Sequence, residues 1–165
     1  LLREGRDDEA REVFEGVGEY NPETMQTQAA LYVYHNEYEK AVELLSTRVE
    51  DPEARYNLGL IKAQQHRFEE AYELLAPFAD INSVVVALCV NRNDEADRMM
   101  QGIATDSPLC EYVRALIAAR LGRGSEVLHH IAGASGDVTL RERAKTEYDF
   151  KPYRDRLEFR EVIYK

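Results

Sequence analysis

A five-fold echo constrains this chain more than any single residue does. Ala10-x-x-Val13-Phe14 returns as Ala41-x-x-Leu44-Leu45, Ala71-x-x-Leu74-Leu75 and Ala96-x-x-Met99-Met100, and more loosely as Val127-x-x-His130-Ile131. The leading small residues are spaced 31, 30, 25 and 31 apart, each just behind a polar or acidic pair such as Glu69-Glu70 or Asp94-Glu95. A period of that size is the mark of a stacked α-solenoid, whose units bury their apolar faces only against neighbours. Such an array presents surface, which points to binding and away from catalysis.

Between the echoes runs a complementary pattern. Met25, Ala29 and Tyr32, then Ala54, Leu58 and Ile61, then Leu109, Val113, Leu116 and Ile117, each form one apolar stripe at helical spacing. Pro22, Pro52 and Pro108 stand at helix starts, where a missing N–H costs nothing, and Asn21, Asp51 and Ser107 ahead of them are preferred caps. No strand-like alternation competes. The chain therefore reads as all-α and as a single domain, residues 1–165. A lone helix near 7–17 is followed by pairs at 22–35 with 38–49, 52–65 with 68–78, 81–90 with 93–104, 107–121 with 124–132, and 137–147 with 151–163. Gly133-Ala134-Ser135-Gly136 reads as a flexible break before divergent closing helices, 137–163. The first residues, Leu1-Leu2-Arg3-Glu4, start inside the pattern, as expected of a piece of something longer.

Charge excludes one class of partner. Residues 1–80 carry 18 acids against 8 bases, and residues 81–165 carry 13 of each, so the whole net charge of −10 lies in the first half. Nucleic-acid affinity comes from Lys and Arg neutralising phosphates, so no nucleic-acid partner is expected. The acids serve either as a solvated outer face or as a docking surface for a basic partner. No apolar run approaches membrane-spanning length, so direct membrane insertion by this segment is not expected. Cys89 and Cys110 lack metal-ligand spacing and read as buried small hydrophobes.

No reactive constellation stands out. His35 and His66 read as turn residues, and adjacent His129 and His130 point about 100° apart on a helix, so they cannot share a metal from one face. The carboxylate pairs are ordinary acidic first turns favoured by the helix dipole. No glycine run cradles a phosphate. The expectation is a non-enzymatic chain with no catalytic residues, metal or cofactor.

The stretch from Pro52 through Leu58-Gly59 to Phe68-Glu69-Glu70-Ala71 and Leu75 resembles a tetratricopeptide repeat (TPR), matching the family's Leu-Gly pair and its aromatic, small and large apolar positions. The register extends over residues 7–132, with Gln28-Ala29 in place of Leu-Gly in the first pair and Val127 in place of alanine in the fourth. The resemblance implies a right-handed α-solenoid of four to five antiparallel helix pairs, whose concave face grips a peptide or protein partner. Carried onto this chain, that face comprises Gln26, Ala30, Val33 and Tyr34, then Glu53, Tyr56, Asn57, Leu60 and Gln64, then Tyr112, Leu116 and Arg120. Tyr34, Tyr56 and Tyr112 are its candidate anchors, with inter-helix packing as their other reading. Asn57 matches one element of the family's carboxylate clamp, but Gln26 and Ala30 replace its Lys and Asn, so that clamp is absent. The tail 144–154 resembles closing helices of bacterial repeat proteins. Together with 92–96 and 115–122 it is also similar to helical-repeat regions of OmpA-like outer-membrane proteins. That likeness implies a bacterial envelope location on the periplasmic side, with the cytoplasm as the other reading. It also offers a second role, a structural spacer or assembly platform; the helix near 7–17, which has no first-helix partner, either caps the array or exposes an apolar face for self-association through the N-terminal end.

Overall fold

The computed structural model describes residues 22–164, which contain helices and no strand. Its elements are α1 (Pro22–Tyr34), α2 (Tyr38–Ser46), α3 (Pro52–Gln64), α4 (Phe68–Leu75), a 3-10 turn (Ala76–Phe78), α5 (Ile81–Cys89), α6 (Asn93–Gln101), α7 (Pro108–Arg120), α8 (Gly124–Ala134), α9 (Val138–Thr146), a 3-10 segment (Tyr148–Tyr153) and α10 (Leu157–Ile163). The helix read near 7–17 and the cap at Asn21 lie outside the described residues.

Local chemistry starts the helices. Asp51 accepts the Glu53 N–H at 3.1 Å and Ser107 the Cys110 N–H at 3.2 Å, each just ahead of a first-position proline. The helix α5 has no proline and opens on a capping box between Asp80 and Ser83. Asp137 caps α9 through the Leu140 N–H. The three proline-led helices are each 13 residues long, whereas α5 has 9, which accounts for most of the shortened spacing to the fourth echo, at Ala96.

One turn is used four times. Asn36, His66, Asn91 and Gly122 have positive φ of 60°, 59°, 58° and 73°. At each, that residue's N–H bonds back to the carbonyl three earlier, and the next N–H to the carbonyl five earlier, as in Glu37 to Tyr32 and Arg123 to Ala118. This is the Schellman geometry, which satisfies helix-end carbonyls and reverses the chain within three residues. His66 therefore corresponds to Asn36 rather than to His35.

The echo marks the tightest packing. Ala41, Ala71, Ala96 and Val127 are all fully buried, as are Leu45, Leu75, Met100 and Ile131, four residues on. At the α3/α4 crossing the partner position is Gly59, where an added Cβ would lie 2.6 Å from Leu75 Cγ.

Several boundaries differ from the sequence reading. The second helices are mostly shorter; α2 ends at Ser46, where the Ser46 and Thr47 hydroxyls take the Val42 and Leu44 carbonyls. Gly133 and Ala134 are not a flexible break but the last turn of α8, with Ala134 buried. The expected helix 151–163 is instead a 3-10 segment, Tyr148–Tyr153, containing Pro152, then a bend and the shorter α10. Of the two cysteines, Cys110 is buried but Cys89 is exposed.

The contacts group into two compact units, residues 1–77 and 78–165. In unit 1 the α1–α2 and α3–α4 hairpins pack with α2 against α3, around Met25, Ala29, Ala41, Leu45, Ala54, Leu58 and Ile61. In unit 2 the α5–α6 and α7–α8 hairpins pack with α6 against α7. The closing elements join a core of Tyr112, Val127, Ile131, Phe150, Phe159 and Ile163.

Candidate functional site

Because α1 and α3 are equally long and equally started, residues 30 apart occupy matching places on them. The faces that carry Gln26, Ala30 and Val33 on α1 and Asn57, Leu60 and Gln64 on α3 line one cleft of about 240 Å³. Six of the twelve residues singled out from the sequence thus meet. Ala29, Leu45 and Ile61 complete the lining; the apolar stripes and the echo had marked these three for the core, and they also form the floor of the cleft.

The cleft is lined by aliphatic groups and amides, with no charged side chain. Asn57 Nδ2 donates to Gln26 Oε1 at 2.6 Å, which orients both amides. Gln26 Nε2 is buried without a hydrogen-bond partner. A buried donor left unpaired costs about 1–3 kcal/mol, so a carbonyl entering the cleft would recover interaction there. The chemistry on offer is recognition of a main-chain or amide group above an apolar floor. A larger cleft, about 600 Å³, lies beside α1 and α2, but there Lys40 is held by Glu37 and Gln28 donates to the Tyr32 hydroxyl.

Tyr34, Glu53 and Tyr56 are not among the lining residues. Tyr34 is 69% exposed with its ring edge-on to His35, Glu53 is exposed, and Tyr56 is half-buried.

The three residues expected from the fourth pair need correction. Tyr112 is only 2% exposed, its ring 5.6 Å from that of Phe150 and its hydroxyl donating to Glu147 Oε2 at 3.4 Å. Burial first, and then the Glu147 charge, push its hydroxyl well above the usual tyrosine range. Arg120 donates to Asp149 Oδ2 at 2.8 Å and to the Leu88 carbonyl, and Leu116 packs on the same core. The reason is a covering segment: residues 147–153 lie on this face of α7, so Tyr112 is buried, and Leu116 and Arg120 are half-buried against the chain's own structure.

A second polar cluster sits in unit 2. His130, standing where the echo elsewhere has an apolar residue, places Nδ1 2.8 Å from Glu111 Oε2. Arg114 bonds the other Glu111 oxygen and the carbonyls of Ile103 and Thr105, pinning the connection between α6 and α7. Burial raises the Glu111 carboxyl, but the hydrogen bonds and charges of His130 and Arg114 outweigh it and hold the group below its ordinary value of 4.5. A lowered folded value stabilises the fold above the unfolded value, and that contribution is lost as pH falls through the folded one. The stability gap between the parent and Glu111→Gln, read from urea midpoints, is therefore expected to be widest at neutral pH and to close below pH 4.5. A gap that stays constant down to acid pH would remove this role from Glu111.

Among the described residues no group of His, Cys, Asp and Glu is placed to hold a metal ion, and no helix is long and apolar enough to cross a membrane. Comparison with known proteins finds no family model and no curated relative that matches the chain.

Proposed function

We propose that this chain is an interaction scaffold of TPR-like hairpins that holds a peptide or protein partner in the cleft between α1 and α3. The observation that carries the reading is convergence: Gln26, Ala30, Val33, Asn57, Leu60 and Gln64 belong to two hairpins and line one groove. The solenoid reading rests on the recurring left-handed turn and on the glycine at the α3/α4 crossing. The groove offers amides and aliphatic carbons, which supports a role in binding. Binding there combines burial of apolar surface with a few oriented hydrogen bonds, the usual make-up of such a site.

Replacing Gln26, Asn57 and Gln64 together with Ala tests this. Each lost hydrogen bond is worth about 0.5–1.5 kcal/mol, so capture of partners from the native source should weaken at least about tenfold while the thermal melt holds. Undiminished capture by a folded triple variant would exclude the groove.

A further inference from the structure

In each unit the second helix of the leading hairpin packs against the first helix of the next, α2 on α3 and α6 on α7. In unit 1 that contact centres on a core shared by Leu58 and Ile61 of α3 with Ala41 and Leu45 of α2, and Leu74 of α4 packs against the same core. A shift of 30 residues relates Pro52 to Pro22 and the left-handed turn at His66 to that at Asn36. The same shift carries Leu58, Ile61 and Leu74 onto Gln28, Leu31 and Leu44 of the first hairpin. Gln28 and Leu31 are only 3% and 1% exposed, yet Leu31 is not part of the core described for unit 1. Gln28 and Leu44 line the cleft of about 600 Å³ beside α1 and α2. The first hairpin thus repeats the face that α3 and α4 turn towards a preceding helix.

We propose that this face is a docking surface for residues 7–17 of the same chain, which lie outside the described residues. The proposal is independent of the groove reading, since Gln28, Leu31 and Leu44 do not line that groove. Three observations name the occupant. Residues 7–17 carry Ala10-x-x-Val13-Phe14, the echo through which α2 meets α3 at Ala41 and Leu45. Only four residues join them to Pro22, a tether that spans about 18 Å at full extension and keeps them beside α1. Charge agrees: they carry five acids against one base, and the cleft beside Gln28 adds Lys40 and Arg48 against Glu43 alone. Phe14 stands to Gln28 and Leu31 as Leu45 does to Leu58 and Ile61, and an end covered in this way recruits no second copy of the chain.

The test labels the leucine methyls of the full chain and follows the nuclear Overhauser contacts of Leu31. Contacts to the Phe14 ring are expected, with intensities that do not change on dilution. In an isotope-filtered spectrum of mixed labelled and unlabelled chains those contacts are expected to be absent. Their appearance there would make the occupant a second copy and overturn the proposal, as would the lack of any contact from Leu31 to residues 7–17. Stability gives an independent reading. Gln28 Oε1 is buried without a hydrogen-bond partner, so Gln28→Leu, which places there the residue that α3 has, is expected to raise the urea midpoint of the full chain. Combined with Phe14→Asp, which uncovers the face, the same substitution is expected to give no rise. A midpoint that fails to rise in the parent, or rises equally in both backgrounds, would show that residues 7–17 do not cover Gln28.

Discussion

Phe150→Ala is expected to lower the stability of unit 2 by about 3–5 kcal/mol, the range for truncating a fully buried phenylalanine. The ring is 0% exposed and lies between two others, 5.6 Å from Tyr112 and 5.9 Å from Phe159. Alanine would leave a cavity between elements more than thirty residues apart in sequence, which a short helix and a 3-10 segment cannot collapse to fill. Phe150→Leu should recover much of the loss, because it keeps most of the apolar volume while forgoing the edge-on ring contacts. Urea denaturation followed by circular dichroism measures both. A loss below about 1 kcal/mol for the alanine variant would mean that the closing segment is not part of the core.

Leu75→Ala comes next, at about 2–5 kcal/mol, because Leu75 is fully buried at the α3/α4 crossing. Its interest lies in its coupling to Gly59. A Cβ at Gly59 would lie 2.6 Å from Leu75 Cγ, 2.8 Å from its Cδ2 and 3.2 Å from Leu74 Cβ. In the parent, Gly59→Ala therefore overpacks the crossing at a cost of about 1–3 kcal/mol, which outweighs a helix-propensity gain of about 1 kcal/mol. Once Leu75 is alanine, Cγ and Cδ2 are gone and the new methyl enters the space they left. Gly59→Ala is then expected to stabilise by about 1 kcal/mol, a reversal of sign within one double-mutant cycle. Strict additivity of the two substitutions would show that the glycine is not there for close approach.

The two substitutions separate what could be read along the chain from what could not. The buried crossing at Ala71 and Leu75 was legible in the spacing of the echo, whereas the facing of Gly59 and Leu75 there was not. The helix starts at Pro52 and Pro108 were legible too, with Asp51 and Ser107 capping them as read. Half of the candidate site followed from the register of the resemblance: Gln26, Ala30 and Val33 on α1 and Asn57, Leu60 and Gln64 on α3 line one cleft. The other half did not. Tyr112 and Arg120 occupy the same register as Tyr56 and Gln64, yet a segment some thirty residues further on covers them.

By itself the sequence determined the helical hairpins of this protein, since caps, first-turn prolines, left-handed turns and apolar stripes act within a few residues of one another. Tertiary structure alone decided which repeated faces stay open. Whether a side chain at a repeated position meets solvent or is buried depends on what the rest of the chain packs against it. In unit 1 that packing leaves an amide-lined cleft that includes Gln64, and in unit 2 it pairs Asp149 with Arg120 at the corresponding position.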